Sequence, residues 1–171
     1  NLEEKEPSLV HTLLADLESK GIIHSVITQN IDLLHQKAGS RNVIELHGSP
    51  LVHRCLSCGK TWPFDTIAKI VQQGGIPSCD ACGGIVKPDI VFFGEALPEH
   101  ALASAEREAA SADLMLVLGT SLTVYPAAAV PEITLQHGGR LVIVNRDSTH
   151  LDRYASYRSD DLEKALKSLC S

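Results

Sequence analysis

Four cysteines constrain this chain more than any other feature. Cys55, Cys58, Cys79 and Cys82 form two C-x2-C pairs separated by twenty residues. Two residues between cysteines let both thiolates of a tight knuckle face one ion, and two knuckles complete a tetrahedral all-sulfur site. Gly59 and Gly83 directly follow each pair and suit the close turns. Four thiolates leave no position for a water, so the site reads as one structural zinc ion rather than a catalytic one. The alternatives are two disulfides, thiols with no joint role, and an iron–sulfur cluster. A cytoplasmic setting disfavours the first, and the symmetry of the knuckles disfavours the last. The fifth cysteine, Cys170, stands apart and reads as an inert thiol at a frayed end.

The surroundings of these pairs differ from the rest. Between Leu51 and Lys87 glycines replace apolar runs, and four basic residues stand against two acidic ones in a chain of net charge −6. Residues 51–87 therefore read as a zinc-binding module inserted between residues 1–50 and 88–171, the two parts of one domain. The acidic balance disfavours the phosphate backbone of nucleic acid as a ligand. No apolar run reaches the length of a membrane span, and no signal peptide is apparent, so the expectation is a soluble, cytoplasmic protein. Residue 1 is Asn, which reads as a processed product or a fragment.

Outside the module the hydrophobic period alternates. Leu9, Leu13, Leu14 and Leu17 recur at helical spacing after Pro7-Ser8, and Gly21 closes that helix. Short runs at Ile22–Thr28, Val43–Leu46, Asp89–Phe93, Leu114–Leu118 and Leu141–Val144 read as strands. Helical stretches at 99–111 and 127–136 separate the last three. Aromatics make up only 4% of the chain, so Ile, Val, Leu and Ala must fill the core, as in a parallel sheet covered by helices on both faces.

Ligands of such sheets bind beyond the carboxyl ends of the strands. The residues there are Gln29, Asn30 and Asp32; His47-Gly48-Ser49; Gly94-Glu95; Gly119-Thr120-Ser121; and Asn145-Arg146-Asp147. Any one group is ordinary turn chemistry; five at one edge point to a site. Gly119-Thr120-Ser121 can offer N–H groups and hydroxyls to a phosphate or ribose. Neither G-x-G-x-x-G nor a P-loop is present. His47, on a strand-end turn before Gly48, is the best acid–base candidate, since imidazole titrates near neutrality. His11, His24, His35, His53, His100, His137 and His150 read as surface or satisfied buried histidines.

Together these stretches resemble the sirtuin family of NAD-dependent protein deacylases. The matching residues run in family order over nearly the whole chain. They are Thr28-Gln29-Asn30-Ile31-Asp32, Leu34-His35 with Ala38-Gly39, Glu45-Leu46-His47-Gly48-Ser49, the two knuckles, Lys87 through Glu95, Gly119-Thr120-Ser121-Leu122 and Val144-Asn145. The resemblance implies an α/β fold: an incomplete Rossmann-like parallel sheet with helices on both faces, plus the inserted four-cysteine zinc-ribbon module. It implies His47 as catalytic base. Gln29, Asn30 and Asp32 lie around the nicotinamide and its ribose, Gly119, Thr120 and Ser121 hold the adenosine half of NAD, and Asn145 contacts the adenine ribose. Val91, Phe93 and Gly94 pair with the substrate backbone, with Val124 facing them. NAD is then the co-substrate, zinc is structural, and proteins or peptides bearing acylated lysine are the substrates. Neither nucleic acid nor a membrane is a partner, and the oligomeric state is not legible.

The family also begins with a strand and a Gly-Ala-Gly-x-Ser loop that holds the NAD pyrophosphate. No such motif occurs in these 171 residues. The expectation is that this chain by itself binds NAD weakly, has impaired activity and exposes two apolar strand edges, the parent protein being the enzyme. Two rival readings stay open. One is a zinc-ribbon interaction module with Trp62 as a contact, and the other is an NAD-dependent mono-ADP-ribosyltransferase. The acyl chain preferred is not readable.

Overall fold

The structure, a computed structural model, describes residues 5–169, so Cys170 lies outside the described residues. From the N-terminus the elements are α1 (Leu9–Ser19), β1 (Val26–Thr28), α2 (Leu34–Lys37), β2 (Val43–Glu45), β3 (Gly48–Cys55), β4 (Thr61–Pro63) and α3 (Phe64–Gln72). They continue as β5 (Val86–Ile90), α4 (Glu99–Ser111), β6 (Leu114–Leu118), α5 (Val130–Gln136), β7 (Arg140–Val144), β8 (Ala155–Ser159) and α6 (Leu162–Leu169). They divide into two compact units, one formed by the segments up to Leu46 and from Pro98 onward, the other by His47 to Leu97.

In the first unit all strand pairing is parallel: β1 with β2, and β6, β7 and β8 in that order. β7 is central, and its alternation shows why an uninterrupted apolar run folds here. Leu141 and Ile143 face Ala128, Leu135 and Leu151, while Val142 and Val144 face Leu162 and Ala165 of α6. Both faces are therefore covered by helical segments, the arrangement that parallel strands require. Ala101, Ala105 and Ala109 form a fully buried stripe along α4, which packs on α5. The buried Thr134 hydroxyl donates to the Ala109 carbonyl at 2.8 Å, satisfying one of the carbonyls left open in the last turn of α4.

Among the described residues β1 is hydrogen-bonded on one side only, to β2, and β6 on one side only, to β7. Val26 N–H donates to Asn42, so the Ile27 N–H, next along the strand, points away from β2. A cavity of about 470 Å³ lies between the two open edges, walled by Ile23, Val26 and Ile27 on one side and Leu114, Met115 and Leu116 on the other. Among the described residues no helix is long and apolar enough to cross a membrane.

Two expected strands differ. The run from Ile22 becomes extended only at Val26, because the N–H groups of Ile22 and Ile23 both bond the Leu17 carbonyl and finish α1. The run expected at Asp89–Phe93 is instead β5, ending at Ile90, and it belongs to the second unit. There β4, β3 and β5 form an antiparallel sheet in that order, with a bulge between Ser49 and His53 where β3 meets β5. Arg54 on β3 forks onto Asp89 of β5 (2.7 and 3.0 Å). The buried core of this unit is Cys55, Ile67, Cys79 and Val86, with Trp62 and Ile70 packed against it.

Candidate functional site

A second cavity of the first unit, about 390 Å³, opens at the carboxyl ends of β1 and β6. Its polar wall is Thr28, Gln29 and Asn30 from one corner and Gly119, Thr120 and Ser121 from the other. Two of the five strand-end groups singled out in the sequence thus share one crevice, at the carboxyl ends of strands from two parallel sheets.

Each corner is held by its own hydroxyl. Thr28 Oγ1 accepts the Asn30 N–H at 3.1 Å, and Thr120 Oγ1 accepts the Leu122 N–H at 3.2 Å. Ser121 Oγ lies 2.9 Å from Thr123 Oγ1. Asp32 Oδ1 accepts the Leu34 N–H at 3.1 Å and so starts α2; it is not on the cavity wall. Leu33 and Leu122, one directly after each candidate segment, adopt left-handed φ of +61° and +54°. A leucine there costs on the order of 1–3 kcal/mol, and such strain concentrates where a ligand-binding turn is fixed by its surroundings.

Val124, half exposed, lies on the same wall. Asn145 does not: its Nδ2 donates to the Asp147 carbonyl at 2.9 Å, and its neighbour Arg146 lines a separate open cavity beside Asp160 and Asp161 at the start of α6. His35 is the wall residue that sequence reasoning passed over. It was expected to be at the surface or satisfied, yet its Nδ1 is buried with no partner among the described residues. Its ring centroid lies 4.7 Å from that of His11. Burial, then the His11 charge, holds the His35 pKa below the ordinary imidazole value, with Asp32 opposing. Asp32 just before α2 and His35 in its first turn, three residues apart, were the signal available in the sequence. His53 Nδ1 is likewise buried and unpartnered.

In the second unit the chain passes from His47 into β3. The His47 carbonyl accepts the Val91 N–H at 2.9 Å. Gly48 has φ +72°, and a Cβ there would overlap the Asp89 carbonyl oxygen, so no other residue fits that approach. Val91, Phe93 and Gly94 follow β5 on a loop where Phe92 is half exposed and Phe93 wholly so. The Gly94-Glu95 group, expected at a parallel-sheet edge, instead lies on a turn beyond the end of the antiparallel strand β5.

The sulfurs of Cys55, Cys58, Cys79 and Cys82 all lie within 4.8 Å of one another, with Cys55–Cys82 at 3.6 Å and Cys58–Cys79 at 3.5 Å. Zn–S bonds of ~2.3 Å at a tetrahedral centre put sulfurs about 3.8 Å apart, so the donor set fits one zinc ion. Both knuckle glycines, Gly59 and Gly83, take positive φ as expected (+75° and +72°). A hydrogen bond from the Cys58 backbone leads in lowering the Cys55 thiol to about 6. For Cys82 the Gly84 N–H also lowers, but the other three sulfurs outweigh it and push the thiol up to about 12.

A model of the Sir2 family matches residues 1–126. The chain is 49% identical over 164 residues to an NAD-dependent protein deacetylase of Thermotoga maritima, covering 95% of this chain and 67% of that protein. It is 46% identical over 148 residues to an NAD-dependent protein deacetylase of Thermodesulfovibrio yellowstonii, covering 86% and 58%. A solved structure of Sir2 with a p53 peptide and NAD+ superposes with a TM-score of 0.89 at 46% identity, covering 98% of this chain and 70% of that one. This chain therefore spans about six to seven tenths of the length of these relatives.

Proposed function

The chain belongs to the Sir2 family, and from that premise we propose that it carries the NAD and peptide elements of an NAD-dependent protein lysine deacylase. One observation carries the reading: Thr28-Gln29-Asn30 and Gly119-Thr120-Ser121 wall one cavity at the ends of two parallel strands. Amide, hydroxyl and backbone N–H groups in such a crevice suit the ribose and carboxamide parts of a dinucleotide.

In this reading the acyl oxygen of a modified lysine attacks the ribose carbon that carries nicotinamide, and nicotinamide leaves with the bonding electrons. His47, which follows the cavity-lining Leu46 directly in the chain, takes the proton of a ribose hydroxyl. The freed oxygen closes on the imidate carbon, and water releases the lysine amine, leaving the acyl group on ADP-ribose. The acyl group is transferred to a sugar and the lysine amide is cleaved with water, so transferase and hydrolase both describe the overall change. Gln29, Asn30 and Asp32 serve the nicotinamide end, Gly119, Thr120, Ser121 and Asn145 the adenosine end, and Val91, Phe93, Gly94 and Val124 the peptide. Zinc, held by the four cysteines of residues 51–87, takes no part in the reaction. Thiolates that must stay reduced favour a cytoplasmic location.

Mass spectrometry of products from an acyl-lysine peptide and NAD tests the reading. O-acyl-ADP-ribose with free lysine supports it; ADP-ribosylated protein supports the transferase alternative, and no product supports the interaction module. His47→Ala is expected to abolish turnover at unchanged zinc content, and full retained activity refutes that role.

A further inference from the structure

The loop after β5 is closed by one ion pair. Lys87 Nζ donates to both oxygens of Glu95, at 2.7 and 2.6 Å, and to the Ile90 carbonyl at 3.2 Å, and it lies 4.5 Å from the centroid of the Phe92 ring. Glu95 Oε2 in turn accepts the Phe92 N–H at 3.0 Å, and the Glu95 N–H returns to the Phe92 carbonyl at 3.0 Å. One ammonium thus touches the carbonyl before the loop, a ring within it and the carboxylate after it. Lys87 is mostly buried, its side chain 21% exposed.

The residues so enclosed have little packing of their own. Phe93 is 101% exposed, Phe92 52%, and Gly94 has φ +88°. A segment with so little side-chain burial and a glycine in its turn would sample many conformations unless something outside it selected one. The same loop begins at Val91, whose N–H holds the carbonyl of His47.

We propose that Lys87 and Glu95 are positioning residues that lock the turn Phe92–Glu95, and so hold Val91-Phe92-Phe93-Gly94 in the one shape that an acyl-lysine peptide meets. The proposal rests on the deacylase reading for the identity of the ligand, and on the bonds above for the clamp itself. Phe93 offers a solvent-facing ring and unpaired backbone on a loop already ordered before the peptide arrives. Such preorganisation lowers the ordering cost of binding without adding a contact. Lys87 and Glu95 themselves need touch neither peptide nor NAD.

The test uses the full chain with zinc bound. Two measurements are made on wild type, Lys87→Met, Lys87→Arg and Glu95→Gln: amide hydrogen exchange over residues 86–97, and the Kd of an acetyl-lysine peptide by fluorescence anisotropy. Loss of one charge-assisted clamp is expected to speed exchange at Phe92 and to weaken the peptide about tenfold in Lys87→Met. Lys87→Arg should restore most of both, since it keeps the charge and the fork. Glu95→Gln, an exposed change that leaves the fold intact, keeps an acceptor for Phe92 N–H but loses the charge, and should fall between. Unchanged exchange at Phe92 in both Lys87→Met and Glu95→Gln overturns the clamp, as does faster exchange with an unchanged Kd. If wild type binds no acyl-lysine peptide, the deacylase reading fails, while the exchange measurement still decides whether the pair holds the loop.

Discussion

Removing the metal should unfold the second unit and leave the first standing. That unit has only two fully buried aliphatic side chains among its described residues, Ile67 and Val86, at 5% and 9% exposure; the other two core members are the ligands Cys55 and Cys79. Burying Ile67 and Val86 contributes about 1.5–3 kcal/mol each. A structural zinc held by cysteines contributes an apparent ~10–16 kcal/mol at neutral pH. The metal term therefore dominates, and stripping it removes most of what orders residues 47–97. The assay is specific because the chain has a single tryptophan, Trp62, half-buried against that core. On titration with a strong chelator under reducing conditions, Trp62 emission should shift toward that of a solvated indole as one zinc per chain is released. Far-UV signal from the parallel strands should persist. Cys79→Ser, at a buried ligand, should show the shifted emission without chelator. Native-like Trp62 emission after complete loss of zinc would refute the reasoning, and so would reduced protein that folds with no zinc at all.

Other consequences are smaller but equally direct. Gly48→Ala places a methyl against the Asp89 carbonyl at φ +72° and should cost about 1–3 kcal/mol by overpacking and backbone strain, seen as a melting temperature several degrees lower; an unchanged value contradicts the stated geometry. His35 is held below its ordinary pKa first by burial, next by His11, against Asp32. Its folded form refuses a proton that the unfolded chain accepts, so its contribution is present above about pH 6.5 and is lost as the pH falls through the folded value. His35→Leu should accordingly flatten the dependence of the urea midpoint between pH 7.5 and 5.5, followed by circular dichroism, and an unaltered slope rejects that account.

What the sequence disclosed tracks how far local pattern and burial agree. β6 and β7 are legible because both faces of β7 are buried, so every residue from Leu141 to Val144 is apolar. The metal knuckles are legible because ligand spacing is a local property. β8 was not found: Ser156, Tyr157 and Arg158 are exposed, and the strand exists because the open edge of β7 recruits it, not because of any alternation of its own. α3 was likewise hidden among the glycines and cysteines around it. Ile22 and Ile23 extended a strand on paper, but their N–H groups were needed at the end of α1.

The run Asp89–Phe93 was misread for a different reason, one that bears on function. Asp-Ile-Val-Phe-Phe has the composition of a buried strand, yet Phe92 and Phe93 are exposed and the ladder stops at Ile90. These two apolar side chains, which no core claims, lie on a loop tied by Lys87 and Glu95, and under the proposed function they are placed for a peptide rather than for packing. The cavity corners show the complementary case. Thr120 was read as a group presented to a ligand, but its hydroxyl oxygen, like that of Thr28 at the other corner, accepts a backbone N–H two residues ahead. Their role is to fix the turns, and the strain at Leu33 and Leu122 marks how tightly those turns are set. The turns display Gln29, Asn30 and the Gly119 corner along one cavity, so residue type at a strand end indicated which corners share the crevice without indicating which hydroxyls the turns themselves use.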